Sequence, residues 1–176
     1  MTEVQVLPVL YVVGTHYEVG HSIGSTFAER IKSFWKESRD IHEIDVPFHN
    51  SPNGKAFSES TLEVCKKNFP QYIREIQGIA DGARMSFDDI FILNTSKEVH
   101  NVLSQDSLKQ KKAKETAGCT DVIINTPTCK IIGHNEDCDP KIKPFGYIVS
   151  ARILDESGIE VENFTAYCYP GVLAGT

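Results

Sequence analysis

A chain of 176 residues, 40% hydrophobic and 24% charged, is long enough to bury a core and has the composition of a soluble globular protein. Its net charge of −6 argues against nucleic acid as a partner, because phosphate contact needs a basic face. The five cysteines are odd in number and form no C-x-x-C pair. With no secretory signal, they fit a reducing, cytoplasmic setting.

The apolar run Val4–Val13 lacks a basic leader, contains Pro8 and is too short to span a bilayer, so a strand is expected and no membrane partner. Gly14-Thr15-His16 is the turn out of it. From Glu18 to about Arg39, Ile23, Phe27, Ile31 and Phe34 recur at helical steps and predict one amphipathic helix. Gly20 and Gly24, four residues apart on it, point to close backbone contact, since no strand-turn-helix phosphate fingerprint surrounds them.

Residues 46–55 hold two prolines, two asparagines and a glycine and read as a loop. A helix is expected over 58–68. Another opens at Pro70, with Ile73, Ile76, Ile79 and Ala80 on its buried face and Gly82 as its stop. Ser86 with Asp89 approximates a capping box for a helix through Ile90 and Leu93 towards Leu103. Residues 104–117, with Lys109, Lys111, Lys112 and Lys114, are expected to be a solvated linker.

Beyond this stretch the pattern turns to strands. Residues 120–125 and 129–134 flank Thr126-Pro127-Thr128 as one hairpin, and 146–154 and 159–169 flank Asp155-Glu156-Ser157-Gly158 as a second. Helices followed by strands predict an α+β or layered fold whose sheet begins near Cys119. His16, His21, His42, His49 and His100 show no partner set in the sequence, and Trp35 is a packing candidate.

Two clusters carry chemistry. Gly118-Cys119-Thr120 places a thiol at the head of a strand, behind a segment that can be cut away. Attack of that thiol on the Gly118 carbonyl gives a thioester, and water then frees an α-amine. With a reference pKa of about 7.7–8.0, this amine can serve as the nucleophile's own base. Gly133-His134-Asn135-Glu136-Asp137-Cys138-Asp139 crowds carboxylates, an imidazole and an amide at a strand end, where one carboxylate could orient the nucleophile. Alternatively it is a solvated acidic turn. Cys129, His134 and Cys138 make a C-x4-H-x3-C spacing with no fourth ligand, so no metal is expected there.

Together with Gly14-Thr15-His16-Tyr17-Glu18-Val19-Gly20, Phe69-Pro70-Gln71-Tyr72-Ile73-Arg74-Glu75, Gly78–Ala83 and Leu93-Asn94-Thr95, these clusters follow one family's order. The chain resembles the isopenicillin-N acyltransferase family of N-terminal-nucleophile (Ntn) hydrolases, including its insect branch acting on β-alanyl amines. The resemblance implies an αββα layered fold made as a self-cutting precursor. Residues 1–118 would form the α-chain and residue 119 onward the β-chain of an αβ heterodimer.

It further implies Gly118 at the scissile bond, Cys119 as nucleophile, and Asp137 as the aspartate of self-cleavage. His134, Asn135, Glu136 and Asp139 are candidate substrate contacts. The implied substrate is a small-molecule β-alanyl-amine amide, such as N-β-alanyl-dopamine or carcinine, hydrolysed without a cofactor. In an acyltransferase variant a second amine accepts the acyl group and acyl-CoA donates it. The family's later oxyanion-hole and arginine positions have no counterpart here, so the chain is expected to be an N-terminal, truncated part of the fold. An inert fragment acting by association is the reading from another class, and a zinc or redox cysteine protein a third.

Overall fold

The computed structural model describes residues 6–108, 119–135, 137 and 140–174. Strand β1 (Val9–Gly14) leads into α1 (His16–Thr26) and α2 (Ala28–Glu37). A π-helical turn at Ile41–Asp45 leads to α3 (Val46–Asn50), α4 (Pro52–Asn68), α5 (Pro70–Ala83) and α6 (Phe87–Leu108). The strands β2 (Thr120–Asn125), β3 (Lys130–Asn135), β4 (Tyr147–Leu154) and β5 (Glu160–Cys168) follow, with a 3-10 turn at Pro140–Ile142.

The α+β class is as expected, but the sheet does not begin at Cys119. A mixed sheet runs β1-β4-β5, with β1 parallel and β5 antiparallel to β4. The hairpin β2-β3 forms a separate two-stranded ribbon. Parallel pairing of β1 with β4 draws the amino-terminal strand across the whole helical half, a long-range union that local periodicity cannot signal.

One face of β1-β4-β5 meets the helices. Tyr147, Val149, Ala151 and Ile153 alternate inward along β4 and are buried with Val19, Ile23, Ile31, Ile79 and Ile90. The expected single helix over 18–39 is two helices. The chain breaks at Phe27 (φ −108°, ψ 17°), whose ring stacks on Tyr147 with centroids 3.9 Å apart. The predicted stripe still packs, since Ile23, Phe27 and Ile31 are all buried.

Residues 46–55 are helical rather than a loop. Pro47 and Pro52 lie in the first turns of α3 and α4, where a missing N–H costs nothing, and Ser51 caps α4 by accepting from the Gly54 amide at 3.0 Å. Gly82 does not stop α5. The helix continues to Ala83 and closes on Arg84 in the left-handed region, φ 54°.

Gly82 serves instead in the α1–α5 crossing. A Cβ on Gly20 or Gly24 would strike the carbonyls of Glu75 or Ile79, and one on Gly78 or Gly82 those of Tyr17 or His21. The close backbone contact expected of Gly20 and Gly24 is therefore present, with two glycines of the partner helix as its counterpart. The Ser86 cap forms, its hydroxyl accepting from the Asp89 amide at 3.0 Å, and α6 runs on to Leu108. The backbone of 104–108 is thus helix rather than linker, while 109–117 lie outside the described residues. No helix among the described residues is long and apolar enough to cross a membrane.

Candidate active site

The ribbon gathers part of the predicted site at its open end. Antiparallel register sets Thr120 opposite Asn135 and Asp121 opposite His134, so Cys119, just before β2, and Asp137, just after β3, share that end. At the other end the Thr126 amide donates to the Cys129 carbonyl at 2.8 Å, closing the turn. Runs of β-branched residues, Val122-Ile123-Ile124 and Ile131-Ile132, on both sides of Thr126-Pro127-Thr128 are what make this hairpin locally.

Cys119 is exposed and in no disulfide. Cys168 contrasts with it: it is buried, and burial pushes its thiol up to about 12, which keeps it a packing residue. His134 Nδ1 lies 2.7 Å from Asp121 Oδ1, and Asn135 Nδ2 donates to Asp137 Oδ1 at 2.8 Å. The Asn135 bond fixes the orientation of Asp137 at the open end. Gly118, Glu136, Cys138 and Asp139, all named from the sequence, lie outside the described residues. Among the described residues no three His, Cys, Asp or Glu side chains converge as metal ligands.

The expectation that the other histidines lack partners is overturned at four positions. His42 Nε2 lies 2.9 Å from the Trp35 carbonyl oxygen. His49 lies 2.6 Å from Ser58 Oγ and 3.4 Å from Thr95 Oγ1. Asp45, fully buried on the π-helical turn, accepts from Ser96 at 2.8 Å and faces His100 Nε2 at 3.5 Å. Burial raises its carboxyl above the ordinary aspartate value. His16 sits between Glu75 and Glu162, at 2.7 and 3.5 Å.

One sequence signal for this arrangement was missed. Thr15-x-x-Glu18 is a full capping box, the Thr15 amide donating to Glu18 Oε2 at 2.8 Å, and it starts α1 so that His16 is its first residue. His16 lies in a cleft of about 380 Å³ between the starts of α1 and α5 and the β4-β5 turn, apart from the ribbon residues above.

Asn94, in one of the motifs, has a structural part. It donates to the Gly171 carbonyl at 2.9 Å and accepts from the Leu173 amide at 2.9 Å, pinning the segment after β5 to α6.

No family model matches the chain. Comparison with curated proteins does find a relative, and it is a hydrolase, matched at 37% identity over 97% of the chain. That relative is the beta-alanyl-dopamine/carcinine hydrolase of Drosophila melanogaster, of whose length the chain spans 45%. The resemblance seen in the motifs thus extends along nearly the whole of this sequence.

Proposed function

We propose that this chain carries the processing junction and nucleophile of a cysteine Ntn amidohydrolase acting on β-alanyl-amine amides. The observation that carries the reading is the 37% identity, over 97% of the chain, to a hydrolase named for such substrates. Exposure of Cys119 directly ahead of β2 supports it, since a nucleophile must be reachable from outside.

In processing, Cys119 Sγ attacks the carbonyl carbon of Gly118 as the peptide C–N bond breaks, and the nitrogen takes up the thiol proton. The thioester is then hydrolysed, leaving a Gly118 carboxylate and the Cys119 thiol and α-amine. In turnover the α-amine accepts the thiol proton and passes it to the departing amine of the substrate. Water resolves the acyl-thioester to the free acid and restores the thiol. Asp137, which accepts from Asn135 at 2.8 Å, is the carboxylate assigned in this reading to hold the emerging ammonium.

The finer fold assignment, an αββα sandwich, has its own support. Helices cover one face of β1-β4-β5, while Val9, Tyr11, Val13 and Tyr167 remain exposed on the other side, and the ribbon exposes Val122, Ile123, Ile124, Ile131 and Ile132. Two stacked sheets would bury these surfaces. The same exposed surfaces also favour a second reading, in which this chain acts by association rather than by catalysis.

Intact mass of the freshly purified chain beside Cys119→Ala tests the proposal. The expected result is two fragments, the second beginning at Cys119, both absent from the variant. A single uncut mass in both, with no turnover of β-alanyl amides and mass rising with concentration, would replace the catalytic reading by the association one.

A further inference from the structure

His16 is the first residue of α1, and its ring faces carboxylates from two other elements. Nδ1 lies 2.7 Å from Oε2 of Glu75, a buried residue of α5. Nε2 lies 3.5 Å from Oε1 of Glu162 on the edge strand β5. The ring also meets Tyr72 edge-on, with centroids 5.3 Å apart.

A neutral imidazole has one N–H and can donate to only one of two acceptors, whereas the imidazolium donates to both. The two acceptors are unequal. Glu75 is 3% exposed and has little water to turn to, so it retains the N–H when only one is present. Glu162, its side chain about a third exposed, can be solvated instead.

We propose that His16 is a proton-operated clasp that, when charged, ties Glu162 of strand β5 to the helices α1 and α5, and when neutral releases Glu162 while β5 stays paired with β4. Release removes the tie between the α1–α5 wall of the cleft and the opposite wall at Glu162, beside Val161 and the β4-β5 turn. The clasp therefore sets how far this cleft opens.

The charged surroundings favour the closed form. Glu75 and Arg74 face the cleft region from α5, Glu162 from β5, and Asp155 and Glu156 from the β4-β5 turn, while Tyr17 lies beside His16 on α1. The hydrogen bond to Glu75 holds the His16 pKa above its ordinary value, against the opposing effect of burial, and the charges of Glu75 and Glu162 add to it. A raised histidine binds its proton more tightly folded than unfolded. Its contribution is thus complete below the unfolded value of about 6.5 and disappears as pH rises through the higher folded value.

The test is an NMR titration of the His16 ring in the full chain, with amide hydrogen exchange of residues 160–163 measured on both sides of the midpoint and corrected for intrinsic rates. The wild-type midpoint is expected above the free-histidine value, with β5 exchanging severalfold faster on the alkaline side. Glu162→Gln, a change at a partly exposed position, is expected to lower the midpoint and abolish the exchange difference. A midpoint unmoved by Glu162→Gln, or equal protection of β5 on both sides of the wild-type midpoint, would overturn the clasp. Neither readout depends on cleavage at Gly118 or on the reaction proposed for Cys119.

Discussion

The strand β4 and the ribbon β2-β3 are built from the same kinds of residue and meet opposite fates. Val149 on β4 is fully buried, whereas Ile132 on β3 is 73% exposed. Their patterns differ in one respect. β4 alternates, placing Tyr147, Val149, Ala151 and Ile153 on the helix side and Ile148, Ser150, Arg152 and Leu154 on the other. In the ribbon, consecutive pairs Ile123↔Ile132 and Ile124↔Ile131 point to opposite faces, so apolar side chains stand on both, Val122, Ile124 and Ile131 on one and Ile123 and Ile132 among polar neighbours on the other. The helices cover the inner face of β4, whereas the apolar residues of the ribbon stay exposed on both of its sides. Local β propensity makes the ribbon, but only partners could bury it.

The largest effect that would break this comparison lies in the covered region. Gly78→Ala drives a methyl onto the Tyr17 carbonyl and should cost about 3 kcal/mol or prevent folding, read as a fall in the urea midpoint. Asn94→Ala removes the side-chain acceptor of the Leu173 amide and a donor to the Gly171 carbonyl. It should cost about 2 kcal/mol by the same measurement. A matched pair sharpens the contrast further. Val149→Thr buries a hydroxyl and should cost about 1–2 kcal/mol, whereas Ile132→Thr should stay within about 0.5 kcal/mol. The Ile132 variant should nevertheless scatter less light at high concentration, because it removes exposed apolar surface. Equal costs at the two positions would show that the ribbon is as well covered in solution as β4.

The parts of the fold legible in the sequence were those governed by short-range rules. The two hairpins, the Pro70 helix start and the Ser86 cap depend on residues within a few positions of one another. The break at Phe27 was hidden because the hydrophobic stripe continues through it, and it is stacking on a distant tyrosine that accompanies the change in direction. Prolines at 47 and 52 were taken for loop markers, since a first-turn proline and a loop proline look alike until the cap beside them is recognised. At the candidate site, Cys119, His134, Asn135 and Asp137 fall together because one hairpin joins them. His16, Glu75 and Glu162 were not legible as a group, for they come from three elements united only by packing.

One consequence of the β1–β4 pairing concerns how a cut between residues 118 and 119 would be detected. The two strands lie on opposite sides of that bond, and their ladder runs from Val9↔Ile148 to Gly14↔Ile153. Severing the backbone would therefore leave both pieces zipped into one sheet over one shared core. A cleaved sample would elute from a sizing column as an uncut one does, and only a denaturing gel or a denatured mass spectrum would tell them apart.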